Sequence, residues 1–278
     1  MTSLHPPAPA DASTSASGLR RNIPELDGVR GLAIAGVMAL HFVNDQVVPT
    51  NLVERAAVTL TNYGLWGVDL FFVLSGFLIT GILADARGRA GYYRHFFMRR
   101  ALRIFPLYYG VLLVMTVLVP PAVLAALDPE LLDVRALWPW LWSYLTNVYL
   151  ASEQAFAIPY LSHFWSLAIE EHFYLVWPFL IWHLSPQRAQ QVCLGLGALA
   201  LGLRITFRLM APDQFYADVL TPCRLDALCA GAWFALAARH EGGQPRVRTR
   251  QIAGLCGAAL VALLYPHQHR SKPRPPNG

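Results

Sequence analysis

His41 closes a run that opens at Arg30, and the residues between them, Gly31 to Leu40, are all apolar or small. Read as an α-helix, an offset of eleven residues is three turns plus about 20°, so the cation and the imidazole share one face, about 16 Å apart. A titratable group on so apolar a helix is costly and normally faces an interior cavity or pathway. With an unperturbed pKa of about 6.5, histidine suits the work of a base near neutral pH, and its ring can instead carry an acyl group. The sequence leaves both roles open. Arg30 does not deprotonate at physiological pH, so its task is to hold a carboxylate or phosphate. Asp27 lies three residues before it on the same face, as a structural cap or as part of a functional pair.

Other charges recur at helical spacing. Arg99 and Arg103 are four apart and project together, about 6 Å from each other. They serve membrane topology, or they hold the phosphates of a cofactor such as CoA, for which the planar guanidinium is well shaped. The sequence has no glycine-rich phosphate loop, which disfavours a nucleoside triphosphate. Asp69 and Gly76 share a face; the first suits an intramembrane hydrogen bond and the second a close helix approach. His163 and Glu170 align if a helix begins by His163, giving a carboxylate–imidazole pair, whereas Glu171 and His172 point elsewhere and read as interfacial. Thr221 and Pro222 suit a helix start, after which Arg224 and Asp226 point to different sides, each toward another helix.

These residues need elements to carry them, and composition says which. Of 278 residues, 55% are hydrophobic and only 14% charged, where a soluble domain has about a quarter charged. The mean hydropathy is +0.38. The expected fold is all-α, a polytopic transmembrane bundle of seven to eight spans. The net charge of +5 comes from arginines beside apolar runs, which speaks for membrane topology and against nucleic acid. Cys193, Cys223, Cys229 and Cys256 are scattered, without metal-ligand spacing.

Residues 1–22 read as a disordered cytoplasmic tail rich in Pro, Ala, Ser and Thr, and residues 266–278 as a disordered, basic, proline-rich tail. Spans are expected over about Gly28 to Val48, Trp66 to Ala84, Ile104 to Leu124, Phe164 to Leu184, Val192 to Met210 and Pro222 to Ala238, with a weaker stretch at Ile252 to Tyr265. The arginines at 87, 89, 94, 99, 100 and 103 follow two crossings, which puts them and the N-terminus in the cytoplasm. Trp138 to Leu150 is short and contains Pro139. If it does not cross, the basic 239–250 loop also falls in the cytoplasm, as its charge demands.

Five motifs stand in order: Pro24-Glu25-Leu26-Asp27-Gly28-Val29-Arg30 with His41; Gly67-Val68-Asp69-Leu70-Phe71-Phe72 through Ser75-Gly76-Phe77; Arg99-Arg100-Ala101-Leu102-Arg103; His163-Phe164-Trp165-Ser166-Leu167 through Glu170-Glu171-His172-Phe173-Tyr174; and Arg224-Leu225-Asp226. Together they resemble the membrane acyltransferase 3 family, the O-antigen and exopolysaccharide O-acetylases, over about residues 22 to 265. The resemblance implies that residues 23–265 form a membrane acyltransferase domain. It implies transfer of an acyl group, usually acetyl from cytoplasmic acetyl-CoA, to a hydroxyl of a carbohydrate or lipid-linked glycan beyond the membrane. It assigns catalysis to Arg30, His41 and Glu170, and the donor to Arg99 and Arg103, with Asp27, Asp69, His163, Arg224 and Asp226 in support. No cofactor is expected to be bound permanently, and the expected partners are acyl-CoA, the glycan and membrane lipids. Family members have about ten spans, so a C-terminally truncated and inactive relative is one alternative reading. A transporter or flippase of lipid-linked glycans is another, because polar groups within spans also mark transport paths.

Overall fold

The computed structural model describes residues 65–156, 158, 160–211 and 214–240, with Gly28, Gly31, Ala33, Ala35–Val37, Thr50–Leu52, Glu54 and Arg55 from the preceding part. Every regular element among these residues is helical. The two tails and the Ile252 to Tyr265 stretch lie outside the described residues.

Helix α1, Leu65–Ala86, is an almost unbroken apolar run. Gly88 and Gly91, both with positive φ (78° and 73°), make the turn that follows it, a conformation open to glycine and strained for most other residues. Helix α2, Tyr92–Leu113, runs on into a π-helical turn, Val114–Leu118, and Pro120 and Pro121 then end it. Four short helices follow: α3, Pro121–Leu127; α4, Leu131–Ala136; α5, Trp138–Trp142; and α6, Thr146–Glu153. Helix α7, Phe164–His183, precedes α8, Pro186–Met210, whose start is capped by Ser185 Oγ accepting from the Arg188 amide at 3.3 Å. The short α9, Tyr216–Val219, leads into α10, Thr221–His240.

Four helical segments among the described residues are long and apolar enough to cross a membrane: Gly67–Ala86, Tyr92–Leu118, Pro186–Met210 and Tyr216–Arg239. Helix α7 is 20 residues long but carries Glu170, Glu171 and His172 in its first half. Its opposite faces differ accordingly: Leu175, Val176 and Phe179 are exposed, whereas Phe173, Trp177 and Ile181 are buried. Exposed apolar side chains along α2 and α8, such as Leu102, Leu107, Leu194 and Leu199, give the bundle the outer surface of a membrane protein.

Helices α1 and α10 run side by side and parallel. Asp69 meets Arg224 near their starts, and Asp85 meets Arg239 near their ends. Between these points the backbones touch: a Cβ on Gly76 would overlap the Leu228 carbonyl, and one on Gly231 the Val73 carbonyl. Glycine is required at both crossings. Helix α2 runs antiparallel to α7, since the Tyr92 hydroxyl donates to Pro178 O at 3.1 Å while Tyr108 packs on Phe164 with centroids 4.7 Å apart. The Arg87 guanidinium donates to Leu184 O at 2.6 Å, joining the ends of α1 and α7.

These directions settle how the middle of the chain runs. Helix α2 ends, and α7 begins, at the same end of the bundle, so residues 119–163 stay at that end. Trp138 to Leu150 is accordingly split between α5 and α6, of five and eight residues, or about 8 and 12 Å of helix against a hydrocarbon core of about 30 Å. Because α1 and α10 are parallel, Arg87 and Arg239 lie at one end, opposite the short helices.

Candidate functional site

The catalytic candidates Arg30 and His41, and the supporting Asp27, lie outside the described residues. Their neighbourhood is partly visible: a Cβ on Gly67 would come 2.6 Å from Ala33 O and 3.0 Å from Val37 Cγ2, so this stretch packs against the start of α1, two residues from Asp69.

Asp69 is buried and accepts a hydrogen bond from the Arg224 guanidinium of α10. The same guanidinium lies 5.7 Å from the Phe72 ring and 5.8 Å from the Trp165 ring, so α1 and α7 supply aromatic faces to a cation from α10. Asp226, two residues on, turns the other way and pairs with Arg204 of α8. Arg208 pairs with Asp218, which ties α8 to α9. The Trp177 indole donates to Thr80 Oγ1 at 2.7 Å, a buried link between α7 and α1.

Glu170 is buried on the face of α7 turned to α1, where the Tyr174 hydroxyl lies within reach of both it and Ser75. His163 precedes the helix and is exposed. Seven residues put it about 10 Å along the axis from Glu170, so the two sit at different depths.

Arg99 and Arg103 are both exposed on a flank of α2, and neither forms an ion pair within the described residues. Arg100, next to Arg99 in the chain, is turned about 100° from it, onto the adjacent face of α2. Tyr92, Phe96, Arg100, Ile104, Tyr108 and Leu112 recur every four residues and make the inward stripe of α2. Arg100 lies over the Tyr174 ring, 4.9 Å from its centroid, and is an electrostatic neighbour of Glu171. That stripe was visible as a four-residue period, but the Arg99–Arg103 pair drew attention to the adjacent face.

Glu171 and His172 point away from the Glu170 face, as register implies, and are partly buried and turned toward the break between α5 and α6. The reason is tertiary: Tyr144 at that break folds over this face of α7 and stacks on Tyr108, with centroids 4.2 Å apart. His172 Nδ1 is 2.7 Å from Thr221 Oγ1, at the head of α10.

A family model described as an acyltransferase domain matches residues 23–275. The chain is 29% identical over 269 residues to the O-acetyltransferase OatA of Staphylococcus aureus, which covers 88% of this chain and 40% of that one. It is 32% identical over 256 residues to the peptidoglycan O-acetyltransferase OatA of Listeria monocytogenes, covering 88% and 39%. To the putative peptidoglycan O-acetyltransferase YrhL of Bacillus subtilis it is 35% identical over 276 residues, covering 92% and 36%. The chain thus spans about two fifths of the length of these relatives. No solved structure matches. The chain belongs to the family that this acyltransferase-domain model describes.

Proposed function

We propose that this member of the acyltransferase family moves an acetyl group from cytoplasmic acetyl-CoA to a hydroxyl of a cell-envelope glycan, with peptidoglycan the favoured acceptor. The names of the Listeria and Bacillus relatives support the acceptor class. The observation that carries the reading is the acyltransferase-domain match over residues 23–275, and Glu170 fits it, a carboxyl buried on α7 where a passive bundle would place an apolar side chain.

In this reading the chain makes seven or eight spans in the cell membrane, with its N-terminus and the Arg87 to Arg103 cluster in the cytoplasm. Arg99 and Arg103 hold the CoA phosphates at that end, where both are open to the donor. His41 takes the proton of the acceptor hydroxyl as its oxygen attacks the acetyl carbonyl carbon. The carbon–sulfur bond breaks, and the proton leaves on the CoA thiol. Alternatively His41 accepts the acetyl group first and passes it on. Arg30 steadies the developing negative charge, and Glu170 orients the groups around it. Asp27, Asp69, His163, Arg224 and Asp226 support these residues.

The test uses purified protein in liposomes, acetyl-CoA labelled in the acetyl group, and peptidoglycan fragments. Alkali-labile label on the glycan is the expected result. Movement of a lipid-linked glycan across the bilayer with no acetyl ester formed would replace the enzyme reading with the transporter.

A further inference from the structure

The face of α7 opposite the Arg87 end carries a second polar cluster, and its geometry differs from that of the ion pairs. Tyr144 takes a left-handed backbone, with φ 57°. Such a conformation persists in a bulky residue only where its surroundings hold it. Here the ring lies flat on Tyr108, the planes 15° apart, and the His172 ring sits against the Tyr144 backbone. His172 is held in turn by Thr221 Oγ1, which accepts from Asn147 Nδ2 at 3.0 Å and so has its own proton left for His172 Nδ1.

The backbone is fixed, yet the polar tips are not satisfied. The Tyr144 hydroxyl, Glu171 Oε1, Thr146 Oγ1 and Asn147 Oδ1 are buried and have no hydrogen-bond partner among the described residues. Tyr144, Thr146 and Asn147 are 8%, 0% and 1% exposed. Nearly all buried polar groups in proteins are paired, so four orphans around one loop and one helix face mark a place where something binds. Glu171 is an electrostatic neighbour of Tyr108, Tyr109 and Tyr144, which places its carboxylate on the same side of α7 as these tyrosines.

The chemistry of the orphans selects the ligand. Glu171 and Asn147 offer acceptors only, while the two hydroxyls can donate or accept. A phosphate or carboxylate brings no donors and is repelled by Glu171. An ammonium brings donors only, and Arg100 already supplies positive charge beside Glu171. Sugar hydroxyls both give and take, in several directions, and the apolar face of a sugar ring packs on aromatic rings such as those of Tyr109 and Trp142, which lie 5.3 Å apart. The cluster also lies at the end of the bundle remote from Arg87 and Arg239, the end from which an extracytoplasmic glycan arrives.

We propose that Tyr144, Glu171, Thr146 and Asn147 form a subsite for a sugar ring of the acceptor glycan, with Glu171 and Tyr144 holding its hydroxyls. The assignment rests on the acyl-transfer reading above, and the experiment separates the two. Binding of the peptidoglycan disaccharide to the full chain in detergent is measured by tryptophan fluorescence for wild type, Glu171→Gln and Tyr144→Phe. The expected result is a tenfold or greater loss of affinity for Glu171→Gln and a smaller loss for Tyr144→Phe. Tyr144→Phe should melt at or above the wild-type temperature, because it removes a hydroxyl without a partner among the described residues, and Glu171→Gln, which keeps the side chain's shape, should melt close to wild type. Unchanged affinity in both variants, no binding to wild type, or loss of binding only with a lowered melting temperature would overturn the subsite. Binding that follows this pattern in a protein that forms no acetyl ester would keep the subsite and sink the transferase reading.

Discussion

Two buried polar regions of this bundle are completed in opposite ways. Between α1, α8 and α10, each carboxylate meets a guanidinium: Asp69 with Arg224 and Asp226 with Arg204. Where α7 meets the α5–α6 break, the Tyr144 hydroxyl and Glu171 Oε1 are left open. The difference separates scaffold from site. Charges that answer one another hold helices in register, and the groups left without a partner among the described residues are those proposed to meet substrate. Substitutions in the first class should therefore cost stability, and those in the second should cost chemistry or binding.

His41→Ala gives the largest expected effect. Removing a base or acyl carrier should lower transfer by about 10²–10⁴-fold or abolish it, with insertion and melting temperature near wild type. Near-normal ester formation by a well-folded variant would remove His41 from the mechanism. Asp69→Ala should do the reverse, costing about 3–5 kcal/mol of stability because it strands a buried guanidinium. Adding Arg224→Met should restore part of that loss in a detergent melt. If the single and double variants melt alike, the pair is not the scaffold element proposed here.

Arg99 and Arg103 sharpen the boundary, being charges that nothing within the described residues answers. Replacing either with Lys should weaken acetyl-CoA binding, and Ala should weaken it by about 1–3 kcal/mol for each lost charge-assisted contact. Acceptor affinity should change much less. Titration of acetyl-CoA at two salt concentrations checks this, and full tolerance of Lys would leave the arginines to topology alone. The smallest effect belongs to Asp85→Asn. Its bidentate contact with Arg239, at 2.7 and 2.8 Å, is an exposed one, so the loss should stay within about 1 kcal/mol.

Most of the long helices were legible in the sequence because apolar runs between glycines, prolines and arginines need no partner to be recognised. Helix α2, however, begins at Tyr92 and not near the expected Ile104, because its first three turns are a basic and aromatic stretch. The divergence of Arg224 and Asp226 was legible from helical register alone. That Arg224 meets Asp69 was not, since the two are 155 residues apart and no local spacing reports such a contact. The surroundings of Glu171 and His172 were not legible for a related reason: they are set by Tyr144, whose left-handed turn has no glycine or asparagine to announce it. Arg100 was within reach, because the four-residue stripe that buries it runs through Tyr92, Phe96 and Tyr108.

The parallel pairing of α1 with α10 also imposes an order on synthesis. Asp69 emerges 155 residues before Arg224. At about 5–20 residues per second, it waits roughly 8 to 30 seconds for its counter-charge. Through that interval the helix holding Gly76 has no seat, and Asp69 lies in or near lipid unanswered. The α1–α10 pairing can therefore close only when the last described helix arrives, and a ribosome that stops before Arg224 releases a chain whose α1 lacks this partner for Asp69.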